Sequence, residues 1–506
     1  MNKTLSKTSY LQGLRCSKFM WLNKYMKNMM EPFSTEDKER LETGIEIGKL
    51  ARQQYPNGCL VPDSIFDVNE RVKITNNLLA QGAETIFEAT FSFNGVEVRV
   101  DILNKADDGY EIYEVKNKKW TKKITKGQKK IKGFINDVAI QHYVLNELGI
   151  IIKNAYLTCL DGEYRLDKSI EINEIFKNII VTDEVLALQN LIPKNIELFV
   201  DTLECTQEPE FNICSGCSGC SFKKYCWQDM PEFSVFSLLT ISKKAFELHD
   251  DGITAVEDIP QDYEFTREPL KIIRDCWKDK TELFINKEKV NESLSKLSYP
   301  LFHLDFETFT PTLPIYNNTS PSQVIPFQYS LHIERTDNTL EHKEYLAEDP
   351  LIDPREALIC RLLNDIKGDS SVVVYSNYES KTLKNLADEF PQYAEELLSI
   401  KSRLWDLMEI FDKRYINFYQ LKNKYSLKYV MPLLVPKMSN KYLDLKESGS
   451  VSFGVEASNA FIQLMTEGDK TVVDSIREGL LEYCKLDTES MVESLRAVIQ
   501  LNSTKG

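Results

Sequence analysis

Long apolar runs are missing from this 506-residue sequence. None approaches the roughly 18 residues that a membrane-crossing helix needs, so a helical membrane protein is excluded. The start of the chain, MNKTLSKTSYLQGLRC, lacks the apolar core of a signal peptide, and a cytoplasmic location is expected. No Gly-x-x-x-x-Gly-Lys loop occurs, which removes the phosphate cradle of an ATP-driven motor. Internal repeats and low-complexity segments are absent as well. Histidine is scarce, with five in all. His303 and His142 each stand beside candidate site residues, and both read as packing or hydrogen-bonding groups rather than ligands.

What is present is ordinary in bulk and uneven in distribution. Hydrophobic residues make up 42% and charged residues 27%, as in a soluble globular protein. The length fits about three domains, or two large ones with a connector. A net charge of −15 argues against a protein that coats nucleic acid without specificity. Screening confines each charge to about 10 Å, however, so a local basic groove remains compatible with it. One such concentration exists: residues 116–132, KNKKWTKKITKGQKKIK, hold nine lysines and no acid. Cysteine is the second uneven feature. Eleven cysteines in a cytoplasmic chain are not a disulfide framework, and crowding favours metal binding. Residues 214–226, CSGCSGCSFKKYC, carry four of them in thirteen positions, and Cys16 lies in the first candidate helix. If the two stretches meet, one metal centre staples the ends of an N-terminal domain. Alone, Cys214, Cys217, Cys220 and Cys226 also suit a self-contained zinc site. Cys59, Cys159, Cys205, Cys276, Cys360 and Cys484 read as single buried thiols.

Periodicity gives the outline. Helices are expected at 5–30, with Ser6 as N-cap, at 35–55, ending at the Pro56-Asn57-Gly58 turn, and at 70–85. The period then drops to two. FEATFSFNGVEVRVDIL and YEIYEVKNK read as strands on either side of a turn at 106–109. A long helix carrying Asp137, Gln141 and Tyr143 follows, then a strand at NAYLTCL and helices around 170–203. Residues 231–298 read as a connector, in which LLTISKKAFELHDDGITAVEDIP is either a helix-hairpin-helix that binds a phosphate backbone or a plain helical spacer. From 299 a second αβ unit begins, with strands at LFHLDFETF, FQYSLHIE and SVVVYSN, and mostly helix over 355–500. KRYINFYQLKNKYSLKY at 413–429 mixes basic residues with five tyrosines and phenylalanines and has no acid, as a single-strand track or a solvated amphipathic helix would.

Two constellations carry chemistry. On the second strand Glu114 and Lys116 share a face, and Asp101 comes from the strand before, thirteen residues back. Two converging carboxylates hold a hard cation such as Mg²⁺ or Mn²⁺. The lysine can position a water and stabilise charge building on a phosphate. Glu88, Gln141, Tyr143 and the lysine run keep this group company. In LFHLDFETF, Asp305 and Glu307 sit at i and i+2 on an apolar strand, where side-by-side burial is unfavourable without a cation. Near the end, Tyr483 and Asp487 lie four apart on one helix face. With Glu379 from the middle as a fourth acid and Asp406 nearby, the set suits a two-metal centre for phosphodiester cleavage.

LSKTSYLQGLRCSKFMWL, GIEIGKLARQQYP, VDIL…YEVKNKK, DVAIQHY and the cysteine cluster, in that order, resemble a RecB-like nuclease of the PD-(D/E)xK superfamily, nearest to the CRISPR-associated iron-sulphur exonucleases. The resemblance covers roughly 1–230. It implies Asp101 and Glu114 as metal ligands, Lys116 as the catalytic lysine, and Gln141 and Tyr143 as the motif that follows the active site. It also implies a [4Fe–4S] cluster rather than zinc, on Cys16, Cys220, Cys226 and either Cys214 or Cys217. Those exonucleases place a metal-binding histidine after a Gly-x-x-hydrophobic step. Here Gly44-Ile45-Glu46-Ile47 leads to Gly48, which puts the helix-borne ligand in question and leaves Glu46 as the substitute. LDFET and Tyr483-x-x-x-Asp487 resemble the first and third motifs of the DEDD 3′–5′ exonucleases, which have a ribonuclease H-like fold. Tyr378-Glu379 stands where the second motif has an aromatic residue and an Asp. The whole of 299–500, with RLWDLMEIF and YSLKYVMPLLVP, resembles an uncharacterised prokaryotic domain fused to RecB-like nucleases.

The expected protein is therefore α/β: a restriction-endonuclease-like domain at 1–230, a helical connector at 231–298, and a ribonuclease H-like domain at 299–506. It is expected to act as a cytoplasmic metal-dependent nuclease on DNA, most simply an exonuclease in repair or defence, with no membrane partner. The alternatives are a catalytically decayed protein that binds nucleic acid or scaffolds a complex, and an RNA 3′–5′ exonuclease.

Overall fold

A computed structural model describes residues 4–122, 133–447, 451 and 454–503. Lys123, Lys126, Lys129, Lys130 and Lys132 of the basic run lie outside the described residues. The protein is mixed α/β and divides into two compact units, Met1–Asp229 with Thr312–Gln323, and Met230–Pro311 with Val324–Gly506. The stretch expected as a connector, 231–298, belongs to the second unit. Among the described residues no helix is long and apolar enough to cross a membrane.

The first unit is built on one sheet of β1 (Leu5–Ser6), β2 (Cys59–Leu60), β3 (Thr85–Phe93), β4 (Val96–Ala106), β5 (Gly109–Trp120), β6 (Ile152–Asp161) and β7 (Phe176–Ile180). The order is β2-β3-β4-β5-β6-β7, with β1 paired in parallel to β4. β3, β4 and β5 form an antiparallel meander, and β6 runs parallel to β5. The first hairpin turns on Asn94-Gly95, both at positive φ (46° and 80°), the twist that a two-residue hairpin requires. One sheet face packs Ile86, Ala89, Phe91, Val98 and Val100 against the Ile135–Glu147 and Ile192–Glu204 helices. The other packs Phe87, Ile102 and Tyr113 against Ile47 and Ala51 of the Thr35–Arg52 helix.

Strand alternation breaks within the β3–β4 pair. In β3 the residues on the first face run Ile86, then Ala89 and Phe91; in β4 they run Val96, Val98, Val100, then Leu103. The phase slips at Glu88 and Asp101, which lie between the paired Phe87↔Ile102 and Ala89↔Val100. Glu88 takes φ +57°, a conformation of roughly 1–3 kcal/mol strain for a residue with a side chain. That strain coincides with a candidate site.

Two expectations need correction here. The helix expected over 5–30 is two helices, Lys7–Arg15 and Ser17–Tyr25, broken at Cys16, whose backbone is extended (φ −170°, ψ 119°). The break turns Cys16 out of the helical path towards the 214–226 loop. Within 170–203, Phe176–Ile180 is not helix but the edge strand β7, paired antiparallel to β6.

The second unit has a sheet of β9 (Leu301–Phe309), β10 (Ile325–Glu334), β11 (Leu340–Leu346), β12 (Val372–Val374) and β13 (Leu404–Asp406), besides the short pair β8 (Leu283–Ile285) and β14 (Ile416–Phe418). The order is β11-β10-β9-β12-β13; the first three are antiparallel and the last two join β9 in parallel. Phe302, Leu304 and Phe306 face the Arg355–Asp365, Tyr378–Glu389 and Ala394–Ser402 helices. Leu301 and Val373 face the other way, with Leu495 and Val498 of the Lys470–Ser503 helix. Odd-numbered positions of β9 thus point at that helix, and Asp305 and Glu307 are among them. The segment proposed as a helix-hairpin-helix is the Lys243–Asp250 helix, a turn at Gly252 and a single 3₁₀ turn, Val256–Asp258. The 413–429 stretch is not a single amphipathic helix. It contains β14, and Arg414 is buried, its guanidinium held by Lys424 O and Asn423.

Candidate functional site

In the first unit the β4–β5 ladder ends at Ile102–Tyr113. Beyond it the strands part, and Asp101 fills the gap: its Oδ2 accepts from the Val115 amide at 2.7 Å. Glu114, buried on β5, is ringed by donors. Lys116 Nζ approaches Oε1 at 2.7 Å, and Gln141 Nε2 approaches Oε2 at 2.7 Å. Lys7 Nζ reaches both oxygens, at 3.2 and 3.0 Å. Lys7 was not foreseen. It arrives because β1 pairs with β4 and because Ser6 caps the following helix, its Oγ accepting from Ser9 N at 3.1 Å. Lys116 also makes a short ion pair to Asp137, which shares a helix face with Gln141 four residues on. Glu88 is held by Arg52 at 2.5 Å and Arg99 at 3.4 Å. Four carboxylates therefore meet four cationic side chains.

Electrostatics follow the geometry. Burial and the neighbouring Glu114 push Asp101 up to about 7, against the pull of Lys7. Burial works on Glu114 as well, but Lys7 and Lys116 overcome it and hold its carboxyl down to about 2. Burial would lower Lys116, yet Glu114 and Asp137 raise it, so it stays protonated. A cavity of about 530 Å³ opens beside Asp101, lined by Lys7, Arg71, Glu88 and Arg99, with the fully exposed Phe66 among its walls. Two expected members stand apart. Tyr143 packs against the core, since two residues on from Gln141 is the wrong side of a helix. Glu46 is exposed, and the Thr35–Arg52 helix presents Arg52 to Glu88 instead.

The second constellation does converge. Glu379 in the first turn of the Tyr378–Glu389 helix and Asp487 on the Lys470–Ser503 helix come close enough to raise both Asp305 and Glu307 on β9. Burial, then Asp487, pushes both Asp305 and Glu307 well above the usual carboxylate range. Burial and Asp406 push Glu379 up to about 8. Asp487 reaches about 6 through burial, restrained by hydroxyl donors from Tyr442 and Tyr483. The Tyr442 hydroxyl donates to Asp487 Oδ1 at 2.5 Å. Asp406, at the end of β13, also lies near 6, its Oδ1 accepting from the Ser376 and Met408 amides at 2.9 Å. Among the described residues no lysine or arginine ion-pairs with Asp305, Glu307, Glu379 or Asp487. Tyr442 and Cys484 were missed. Tyr442 lies on a helix with no motif, and Cys484 reads in the sequence as a lone thiol.

The cysteines also meet. Cys214 Sγ lies 3.9 Å from Cys217 Sγ and 3.7 Å from Arg15 O, beside Cys16. Burial raises Cys16, and the neighbouring Cys214 adds to it. Burial also pushes Cys226 up to about 11, with Cys220, Cys16 and Cys217 contributing. Cys205 and Cys360, expected to be buried, are exposed. Four thiolates about 2.3 Å from one zinc would put every sulfur pair about 3.8 Å apart. Cys214 and Cys217 meet that spacing, but among the described residues no three cysteine sulfurs lie within 4.8 Å of one another. Protein contacts already fasten the two stretches. Arg15 donates to Gly216 O, Ser218 O and Gly219 O at 3.0, 3.2 and 3.0 Å, and Trp21 Nε1 to Cys205 O at 2.7 Å. A Cβ on Gly216 would come within 2.4 Å of Arg15 O, so the loop needs glycine there.

Comparison with known proteins adds little chemistry. A family described as a domain of unknown function, DUF2779, matches residues 302–426, which include Asp305, Glu307, Glu379 and Asp406 but not Tyr483 or Asp487. Over 221 residues, 40% of the chain, the sequence is 27% identical to "Uncharacterized protein MG366" of Mycoplasma genitalium. The match takes in 32% of that protein, so the chain spans about a third of its length.

Proposed function

We propose that the chain is a metal-dependent nuclease with two hydrolytic centres, a RecB-like PD-(D/E)xK centre in the first unit and a DEDD-type centre on a ribonuclease H-like sheet in the second. The carrying observation is the convergence of Asp305, Glu307, Glu379 and Asp487 with, among the described residues, no lysine or arginine ion-paired to them. Buried carboxylates in that state are unfavourable unless a cation joins them. The strand order, three antiparallel and two parallel, supports the ribonuclease H-like reading.

Asp305, Glu307, Glu379 and Asp487 would hold divalent cations in the second unit, and Asp101 and Glu114 in the first. Mg²⁺ or Mn²⁺ bound there supplies Lewis-acid stabilisation of the phosphate under attack. The side chains do the rest. Tyr483, hydrogen-bonded to Asp487, orients a water towards the phosphate. Lys116, kept charged between Glu114 and Asp137, stabilises negative charge on the phosphate oxygens. The cysteine set would hold a [4Fe–4S] cluster. The Cys214 amide, 3.4 Å from Cys217 Sγ, favours Cys217 as the ligand joining Cys16, Cys220 and Cys226. A cluster there would reinforce the Arg15 and Trp21 fastening.

DNA is the favoured substrate. A degradation assay with Mg²⁺ or Mn²⁺ on labelled single- and double-stranded DNA and RNA tests the reading. Wild type should cut, Lys116→Ala and Asp305→Ala should each remove part of the activity, and the double variant should be inert. Wild type cutting no better than the double variant would end the enzyme reading. A second reading applies to the first unit alone. Lys7, on both oxygens of Glu114, already stands where a cation would, which favours a centre that binds phosphate without cleaving it. Cleavage that survives Lys116→Ala in full, with weaker nucleic-acid binding, would select that reading.

A further inference from the structure

Cys484 lies at the carboxylate cluster of the second unit. Ligand atoms of Asp305, Glu307 and Cys484 all fall within 4.8 Å of one another, and Cys484 Sγ is 3.8 Å from Asp305 Oδ2. The helix explains the placement. Cys484 follows Tyr483 and precedes Asp487 by three, so it shares the inward face, and it is fully buried against β9. An independent observation points to a missing positive partner. Glu379 is 3% exposed, and among the described residues its Oε2 has no hydrogen-bond partner. A buried carboxylate oxygen without a donor is strongly unfavourable, and a cation satisfies it.

We propose that Cys484 is a sulfur ligand of this centre, so that one of its cation positions takes thiophilic divalent ions such as zinc or cadmium in preference to magnesium. The inference rests on reading the second unit as a metal-dependent centre. Magnesium demands oxygen ligands in near-octahedral array and keeps its waters, whereas thiolate favours the later first-row ions. Two carboxylates and one sulfur make a mixed set that magnesium uses poorly and zinc or cadmium uses well. Ligation exchanges the S–H bond for a sulfur–metal bond; the proton goes to solvent and no electron moves.

Binding rather than cleavage tests this. Mg²⁺, Mn²⁺ and Cd²⁺ binding to the full chain would be measured by calorimetry, with the ultraviolet sulfur-to-cadmium band recorded alongside. Wild type, Cys484→Ser, Cys484→Ala and Asp305→Asn would be compared, and folding checked by circular dichroism. Any Cd²⁺ taken up by the 214–226 cysteines would be common to every variant, so differences isolate Cys484. Both cysteine variants should lose tenfold or more in Cd²⁺ affinity at one site, lose part of the band, and change Mg²⁺ affinity by less than threefold. Equal losses for Mg²⁺ and Cd²⁺, or no loss for either, would overturn the ligand role and leave Cys484 as packing. If Asp305→Asn leaves all three ions bound as in wild type, the metal-centre reading itself fails. If Asp305→Asn abolishes Mn²⁺ binding while the cysteine variants behave as wild type, only the sulfur ligand is lost.

Discussion

The two carboxylate centres solve the same electrostatic problem in opposite ways. In the first unit Glu88, Asp101, Glu114 and Asp137 are met by Arg52, Arg99, Lys7 and Lys116, so the site is nearly neutral by itself. In the second, Asp487 accepts from Tyr442 and Tyr483, the Cys484 thiol stands by Asp305, and among the described residues no lysine or arginine ion-pairs with Asp305, Glu307, Glu379 or Asp487. The first can stand as a folded site with or without an added ion. The second needs protons or a cation. A shared acid count thus conceals a difference in what each site requires from solution.

The largest effect should come from breaking the uncompensated centre. Glu307→Gln or Asp487→Asn should cut the Mn²⁺-dependent activity of the second unit by on the order of 10²–10³, the scale for removing one transition-state contact, as read by initial rates in a Lys116→Ala background. Next comes pH. Carboxyls raised in the folded state favour folding while protonated, so stability falls as pH climbs from the unfolded values near 4 through the folded ones, about 6 for Asp487 and Asp406 and about 8 for Glu379. At about 1.4 kcal/mol per pKa unit, the second unit should lose a few kcal/mol between pH 5 and pH 8 in EDTA, seen as a lower melting temperature. Glu114 gives the opposite sign: its stabilisation, present above about 4.5, is lost only as pH falls towards 2.

How far these contrasts could be read from sequence depends on the spacing of the residues. Asp305 and Glu307, two apart on an apolar strand, and Tyr483 and Asp487, four apart on a helix, announced their shared faces. Glu114 and Lys116 did the same. Lys7 could not be seen, because it is placed by a two-residue strand pairing 91 residues away in sequence, Leu5 against Val96. Cys16 lay hidden in an apparent helix, since a one-residue break leaves the 3.6 period intact on both sides. The phase slip at Glu88 and Asp101 was invisible for a related reason. Alternation predicts which face a residue takes only while the backbone stays extended, and Glu88 does not. Tyr143 failed because its role came with a motif rather than from its place on the helix.

Lys7→Gln sharpens the comparison from the other side. Removing one of two cations from buried Glu114 should destabilise the first unit by roughly 2 kcal/mol, less than the 3–5 kcal/mol of a fully broken pair because Lys116 remains; chemical denaturation would read it. The smallest expected effect is at the fastening of the cysteine loop. Arg15→Ala removes three hydrogen bonds to residues 216–219 and should lower stability by about 1–2 kcal/mol without touching either centre.

Hydrogen exchange on the full chain at pH 8, with and without Mn²⁺, asks the central question directly. Amides of β9 and the Lys470–Ser503 helix should exchange much faster in EDTA and recover with Mn²⁺, while β4 and β5 change little. An equal response in both units, or none in either, would contradict the difference between the centres.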